Sequence, residues 1–159
     1  MDAFAIRPAT RDHLPRIAAM GAALTRSHQA FDARRFLLVE GLEAGYERWL
    51  GSIVDDPETT LLVAESGGEL IGYSVGRIEP RDWATLLDRH GALHEVWVAP
   101  GWRGRGVGRA LVRAVCQNLG RLGAPRVVLW CAWQNVAAHK VFEKVGFRRT
   151  MLELTLELA

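Results

Sequence analysis

The sequence has little cysteine, no long apolar run and no large excess of charge. Its two cysteines, Cys116 and Cys131, belong to no metal or redox motif, and its histidines share no metal-binding spacing. No stretch approaches the roughly 18 consecutive apolar residues of a membrane span, and no apolar run behind a basic segment marks a targeting peptide. These absences predict a cytoplasmic protein with no metal and no membrane partner.

The charge and the composition exclude two further classes of protein. A formal net charge of +2 lacks the basic excess typical of general nucleic-acid binding. Charged residues make up 24% of the chain and hydrophobic residues 49%, as in ordinary soluble globular proteins rather than disordered ones. The chain also has no internal repeat and no linker-like tract. We therefore expect one compact domain over residues 1–159, without a nucleic-acid partner.

The spacing of apolar residues predicts six strands and four helices. Strands are expected where apolar residues alternate or form short buried runs, and helices where they recur every three to four residues. Gly67-Gly68 between two strands indicates a hairpin. The predicted order is strand 4–7, helix 10–28, helix 38–54, strand 61–66, strand 69–78, strand 92–99, a helix ending near 122, strand 126–131, helix 135–145 and strand 151–158.

A loop of glycines and arginines between strand 92–99 and the next helix is the most informative segment. Its three glycines, at positions 104, 106 and 108, carry no β-carbon and tolerate positive φ, so a phosphate can approach the backbone. The N-terminus of the following helix favours an anion through its amides and its dipole. Arginines at 103, 105 and 109 add positive charge. The loop therefore predicts an anion-binding cradle.

Three phosphate-binding motifs contain such glycines, and two of them fit poorly. A P-loop requires Lys and then Ser or Thr after its last glycine, whereas Arg and Ala follow Gly108 here. The dinucleotide fingerprint requires Gly-x-Gly-x-x-Gly, whereas these glycines alternate. The remaining pattern, Arg103-x-x-Gly106-x-Gly108 after a strand that ends at Val98, resembles the acetyl-CoA-binding motif of the GCN5-related N-acetyltransferases.

A second segment resembles the same family independently. Asn135-Val-Ala-Ala-His-Lys-Val-Phe142-Glu-Lys-Val-Gly146-Phe147 is similar to the family's late helix pattern, Asn-x-x-Ala-x-x-x-Tyr-x-x-x-Gly-Phe. Phe142 stands where the family has tyrosine. The resemblance extends over about residues 93–147, and the earlier part matches only in the order of its elements.

The resemblance implies an α/β (α+β) fold, the single-domain acyl-CoA N-acyltransferase fold. Such a fold has a mixed, mostly antiparallel sheet, flanked by about four helices, with a parallel pair that diverges at the acetyl-CoA site. Acetyl-CoA would lie between the strand that ends at Val98 and the strand that ends at Cys131, and Asn135 would cap its helix and bind the pantetheine arm. The cofactor residues implied are Trp97, Val98, Arg103, Gly104, Arg105, Gly106, Val107, Gly108, Arg109, Asn135 and Phe142.

Direct attack by an amine requires a group that accepts its proton. His94 is the first candidate, since it is expected on the strand face of Val98 and an imidazole can act as a general base. Glu95, expected on the opposite face, is the second. Phe142 cannot protonate the departing thiolate as a tyrosine would, which leaves water, Tyr73 and Cys131 as alternatives.

The resemblance implies an acetyl-CoA-dependent N-acetyltransferase that acts on a primary amine of a small molecule or a peptide. The aromatic and basic connection at 31–36 would shape the acceptor pocket, and Arg34 and Arg35 could attract an acidic acceptor. The alternative is a non-catalytic acyl-CoA-binding or sensing module, which the missing tyrosine favours. A homodimer is left open, because the alternating strand 151–158 could pair with another chain if it forms an exposed edge.

Overall fold

The computed structural model describes residues 3–158, which form one five-stranded sheet with helices on both faces. The strand order follows the chain, and each neighbouring pair is antiparallel except the last, which is parallel. The mixed sheet with a single parallel pair confirms the predicted fold class. The strands are β1 (Ala5–Pro8), β2 (Thr59–Ser66), β3 (Glu69–Glu79), β4 (His90–Val98) and β5 (Val127–Val128).

Four α-helices cover the sheet, as the apolar spacing predicts. Helix α3 and helix α4 pack on one face and helices α1 and α2 on the other, so the protein has two apolar cores. None of the helices in the described part of the chain is both long and apolar enough to cross a membrane. The helices are α1 (Leu14–Phe31), α2 (Leu42–Ile53), α3 (Val107–Arg121) and α4 (Val136–Val145).

Glycines let the two layers approach closely at particular points. A β-carbon at Gly76 of β3 would lie 2.5 Å from Cγ1 of Val115, so only glycine lets α3 pack this close to the sheet. On the other face, a β-carbon at Gly21 of α1 would lie 2.6 Å from ring carbons of Tyr46. The Gly67-Gly68 turn has positive φ at both residues, and the hairpin between β2 and β3 is confirmed.

Helix α2 and strand β5 begin or end away from their predicted bounds. Helix α2 starts at Leu42 rather than at 38, because Gly41 at its N-cap adopts a left-handed conformation that ends the preceding connection. Strand β5 contains only Val127 and Val128 instead of residues 126–131. It pairs with β4 only at Gly91 and Ala92, after which the two chains separate.

The predicted strand at 151–158 is wrong for the chain as the structure describes it. Residues 148–158 adopt no regular secondary structure, and the four leucines of the alternating pattern are 73–90% exposed. Alternation indicates that one side of a segment is apolar, but it does not say which surface will cover that side. No surface formed by residues 3–158 covers it.

Candidate functional site

The N-terminus of α3 has the backbone conformation expected of an anion-binding loop. Gly106 is its N-cap, with φ of 90°, and Gly104 has φ of 77°, both in the left-handed region that glycine adopts without strain. No backbone hydrogen bond in residues 3–158 uses the amides of Val107, Gly108 or Arg109 as donors. These amides are the unsatisfied donors expected in the first turn of a helix, and they can bind an anion.

The space beside two of the loop glycines is open. A β-carbon built at Gly104 or Gly106 would meet no other atom within 4 Å. Arg103 turns back and donates from Nε to the carbonyl of Val98 at 3.0 Å. Arg105 lies over the ring of Trp102, with 5.2 Å between its guanidinium carbon and the ring centroid, and Arg109 is exposed.

The divergence of β4 and β5 places an open edge beside this cradle. After Ala92, β4 continues to Val98 with a partner only on the β3 side, where Trp97 pairs with Tyr73. Among residues 3–158, no strand pairs with Trp97 or Val98 on the side that faces away from β3, although the carbonyl of Val98 accepts a hydrogen bond from Arg103 Nε. A pantetheine arm is an extended chain with amide groups, and such an edge can bind it.

Two predicted cofactor residues lie on or near α4. The side chain of Asn135 accepts a hydrogen bond from the amide of Ala138 at 3.2 Å and caps the helix. Phe142 is 8% exposed in the core beneath α3 and contacts the ring of Phe147 edge to face. Both positions follow from the predicted helix, and Phe142 occupies the core stripe expected of it.

A β-bulge in β4 changes the predicted arrangement of His94 and Glu95. The pairing with β3 moves from Val75–Glu95 to Gly76–Leu93, which leaves His94 as the extra residue. The two side chains therefore line one pocket on the α1 and α2 face. One prediction is wrong for this reason: His94 does not share the face of Val98, which packs on the α3 side, whereas Glu95 lies on the face opposite Val98, as predicted.

Two tyrosines hold the Glu95 carboxylate. The hydroxyl of Tyr46 in α2 donates to Oε1 at 2.8 Å, and the hydroxyl of Tyr73 in β3 donates to Oε2 at 2.6 Å. Burial raises the pKa of Glu95, while the two tyrosine hydrogen bonds oppose that shift. Burial and the neighbouring carboxylate raise the pKa of both tyrosines, so they remain donors. Glu95 is a carboxylate with fixed orientation and raised basicity.

The pocket above Glu95 is a cavity of about 200 Å³ between α1, the connection from α1 to α2, and β4. Its wall combines apolar side chains with the hydroxyl network, in which Tyr46 also hydrogen-bonds Thr25 at 2.8 Å. At its rim, Nε2 of His94 lies 2.8 Å from Oε1 of Glu79. The lining residues are Leu24, Thr25, His28, Phe36, Leu37, Tyr46, His94 and Glu95.

The residues suggested for thiolate protonation occupy different places. Tyr73 is fully buried, and its hydroxyl is hydrogen-bonded to Glu95 on the pocket side of the sheet. Cys131 follows β5, and burial raises the pKa of its thiol to about 11. Within residues 3–158, no group of three or more His, Cys, Asp or Glu side chains is arranged to hold a metal ion.

Thr25, Tyr46 and Glu79 belong to this site but are not predicted from the sequence as functional residues. Tyr46 recurs at helical spacing with Leu42, Trp49, Leu50 and Ile53, and this apolar stripe of α2 predicts a core residue. The sequence signal for the contact of Tyr46 with α1 is Gly21, which lies one helical turn before Thr25. A glycine inside a helix indicates that a neighbouring side chain packs closely there.

Comparison with known proteins agrees with this geometry. The sequence model of the acetyltransferase (GNAT) family matches residues 24–147. A mycothiol acetyltransferase of Pseudarthrobacter chlorophenolicus is 33% identical over 97 residues, which cover 59% of this chain and 28% of that protein. The N-alpha-acetyltransferase RimI of Mycobacterium tuberculosis is 33% identical over 113 residues, covering 69% of this chain and 62% of RimI. The chain thus spans less than a third of the mycothiol acetyltransferase.

Solved structures share the fold over almost the whole chain. The aminoglycoside N-acetyltransferase AAC(6')-Iy in complex with CoA has a TM-score of 0.79 and 19% identity, covering 99% of this chain and 96% of that one. A ribosomal-protein-alanine N-acetyltransferase of Brucella melitensis has a TM-score of 0.72 and 17% identity, covering 98% and 100%. At these identities the similarity concerns the fold.

Proposed function

The chain belongs to the acetyltransferase (GNAT) family, and from this premise we propose that it is an N-acetyltransferase that transfers the acetyl group of acetyl-CoA to a primary amine. The observation that carries the proposal is the pairing of two sites along β4. An anion cradle lies at the carboxyl end of the strand, and a pocket with the half-buried carboxylate of Glu95 lies beside its bulge. One site suits an anionic acyl donor and the other a cationic acceptor.

The cradle residues would hold acetyl-CoA, which when bound supplies an acetyl group activated as a thioester. The free amides at the start of α3 bind the pyrophosphate, and Arg103, Arg105 and Arg109 surround it with positive charge. The backbone of Trp97 and Val98 binds the pantetheine arm. Asn135 at the N-cap of α4 and Phe142 within α4 complete the proposed cofactor site.

Glu95 is the group to which we assign proton removal from the amine. Its two tyrosine donors fix the carboxylate, and burial raises its pKa toward a value at which it accepts a proton effectively. His94, partly exposed at the rim and paired with Glu79, is the second candidate and is placed to pass the proton to solvent. Either residue acts directly or through a water molecule.

The acceptor is proposed to be a primary amine of a small molecule or a peptide. The carboxylates of Glu95 and Glu79 favour an ammonium group, and Leu24, Phe36 and Leu37 provide apolar contact for the carbon atoms beside it. Mycothiol, aminoglycosides and ribosomal proteins appear in the names of the related enzymes, so the family's acceptors differ widely. The cytoplasm is the proposed location, and the two free cysteines suit its reducing conditions.

One observation favours a second function. Phe142 provides no phenol for the thiolate, as a non-catalytic acyl-CoA-binding module would allow. The two functions differ in turnover: an enzyme releases CoA when amines are added, whereas a binding module retains acetyl-CoA.

The deciding experiment combines a thiol-detection assay with calorimetry. Acetyl-CoA is incubated with a panel of small amines and peptides, and CoA release is followed in wild type and Glu95→Gln. Amine-dependent release that Glu95→Gln abolishes supports the proposed enzyme. Tight acetyl-CoA binding without release by any amine supports the binding module instead.

A further inference from the structure

The hydroxyl hydrogens around the pocket above Glu95 are directed toward its carboxylate. Tyr46 has a single hydroxyl hydrogen, which it donates to Oε1 of Glu95, so the 2.8 Å contact between Tyr46 and Thr25 must use the hydrogen of Thr25. Tyr73 donates its hydrogen to Oε2. Thr25 and Glu95 therefore present only lone pairs to a ligand, since an ionised carboxylate has more acceptor sites than its two tyrosine bonds occupy.

The two histidines that line the pocket each have a ring hydrogen already in use. Nδ1 of His28 lies 3.0 Å from the carbonyl oxygen of Leu24, which can only accept, so Nδ1 carries the hydrogen. Nε2 of His94 donates in the same way to the Glu79 carboxylate at 2.8 Å. The second nitrogen of each neutral ring is then a hydrogen-bond acceptor, and no side-chain hydrogen bond within residues 3–158 occupies Nε2 of His28.

The pocket wall offers no cation to an acidic substrate. Within residues 3–158, no lysine or arginine lines the cavity. Arg35, in the connection from α1 to α2, is paired with Glu153. Its neighbour Arg34 lies 3.5 Å from Glu157. The polar groups that a ligand meets inside the cavity are therefore lone pairs and negative charge.

We propose that the amine substrate carries a second hydrogen-bond donor, an ammonium or a hydroxyl group a few carbons from the amine that is acetylated, and no carboxylate or phosphate. This inference rests on the proposed function, because it specifies the substrate of the same pocket. The reacting amine approaches Glu95, and the second donor binds Nε2 of His28. At the roughly 30 Å³ that one water molecule occupies in the liquid, a cavity of about 200 Å³ holds a chain of roughly three to five carbons with a polar group at each end.

An amine without a second donor would leave these lone pairs without a partner. A ligand that fills the cavity displaces water from Thr25 and from Nε2 of His28, and a polar atom that loses water without gaining a donor costs free energy. A ligand with a carboxylate would also place negative charge beside the carboxylates of Glu79 and Glu95. Binding should therefore be strongest with a second donor, weaker with a methyl group in its place and weakest with a carboxylate.

The test compares amines of equal length that differ only at the far end of the chain. The probes are linear diamines, amino alcohols, alkylamines and terminal amino acids with chains of roughly three to five carbons. Calorimetry measures their binding to the full chain saturated with CoA, which cannot react, and the thiol assay measures kcat/KM with acetyl-CoA. The best diamine and the best amino alcohol should bind about 5-fold or more tightly than the alkylamine of the same length. The amino acid should bind about 10-fold more weakly than that alkylamine.

A substitution at His28 tests which group binds the second donor. His28→Phe keeps an aromatic ring beside Phe31 and Phe36 but removes Nε2. It should reduce the advantage of the diamine and the amino alcohol over the alkylamine to less than about 2-fold. Ser27→Ala is the matched control on the same helix, because Ser27 donates to the carbonyl of Ala23 and does not line the pocket. This variant should keep the wild-type ratio.

The outcomes separate this inference from the proposed function. Equal binding of diamine and alkylamine, or tightest binding of the amino acid, would overturn the inference even if amines release CoA. The expected preference without CoA release by any amine would support the inference and contradict the proposed enzyme, because calorimetry requires no turnover. A folded His28→Phe variant that keeps the wild-type ratio would also overturn the inference, since another group would then bind the second donor. The comparison of probes on wild type does not depend on the folding of either variant.

Discussion

The two faces of the sheet place their functional groups in different ways. On the α3 face, the cradle is one continuous segment, from the end of β4 at Val98 to the first turn of α3. On the α1 and α2 face, the pocket gathers Thr25, Tyr46, Tyr73 and Glu95 from four separate elements. A continuous segment forms its site through local geometry, whereas a dispersed site depends on packing and strand register.

This comparison predicts that substitutions on the two faces separate binding from chemistry. Glu95→Gln should lower kcat/KM by roughly 10² to 10⁴, because the amide keeps the shape of the side chain but cannot accept the proton. The measurement is steady-state kinetics with the best amine of the panel. Glu79→Gln, which removes a carboxylate that contacts His94 but not the tyrosines, is the control and should have a much smaller effect. A near-normal Glu95→Gln together with an inactive His94→Ala would assign the proton to His94.

Gly106→Asp should weaken acetyl-CoA binding by roughly 100-fold, because a carboxylate would face the phosphates at the unpaired amides. The matched control is Gly106→Asn, since asparagine has the same size and tolerates the left-handed conformation as well as aspartate does. Isothermal titration calorimetry measures both variants. Equal losses in the two variants would mean that backbone strain or bulk, rather than charge, weakens binding.

Much of the fold follows from local patterns in the sequence, and the exceptions share a physical cause. The hairpin at Gly67-Gly68 and the cradle depend on the conformation of neighbouring residues, and both are predicted. The bulge at His94 depends on how β4 pairs with β3, which no pattern within β4 specifies. The same bulge increases local twist and bends the strand, consistent with the short pairing of β5.

The acceptor pocket is harder to predict than the cradle. A tyrosine in the apolar stripe of a helix can pack in the core and also donate a hydrogen bond from its hydroxyl group. Tyr46 packs against α1 as a core residue would, yet its hydroxyl donates a hydrogen bond to Glu95 of β4. Segment 151–158 has the period of a strand, but no other part of residues 3–158 covers its leucines. In both cases the outcome depends on residues that are distant in the sequence.

Gly21→Ala should disturb the hydrogen bonds of Glu95 indirectly, by displacing the ring of Tyr46. The added methyl group would lie 2.6 Å from the Tyr46 ring, so α2 or the ring must move, at a cost of about 1–3 kcal/mol of stability. We expect a lower Tm and a fall in kcat with little change in acetyl-CoA affinity. Gly45→Ala in α2, which meets no atom within 4 Å, is the control and should be neutral or slightly stabilising. If Gly21→Ala keeps wild-type kinetics, the position of Tyr46 does not matter for catalysis.

Tyr46→Phe should move the acidic limb of the pH profile of kcat/KM to higher pH. The hydroxyl of Tyr46 lowers the pKa of Glu95 by hydrogen bonding, so its removal raises that pKa and protonates the base at a higher pH. One hydrogen bond of ordinary strength corresponds to a shift of about one pH unit or less. An unchanged limb would indicate that another group, such as His94, sets the profile.

Phe142→Tyr should have the smallest effect. The ring stays in place, and we expect equal or modestly higher activity if the new hydroxyl faces the CoA sulfur. Kinetics and thermal unfolding are measured together. A Tm several degrees lower with unchanged kinetics would show that the hydroxyl is buried without a partner, and that Phe142 serves only the core beneath α3.

The central claim is that the α3 face binds acetyl-CoA and that the α1 and α2 face removes the proton from the amine. It is tested most directly by measuring acetyl-CoA affinity and kcat/KM in both Glu95→Gln and Gly106→Asp. Calorimetry should find wild-type affinity in Glu95→Gln despite its large loss of kcat/KM, and the main loss of affinity in Gly106→Asp. Saturating acetyl-CoA should restore most of the activity of Gly106→Asp and none of that of Glu95→Gln. Loss of acetyl-CoA affinity in Glu95→Gln, or no rescue of Gly106→Asp, would contradict the account.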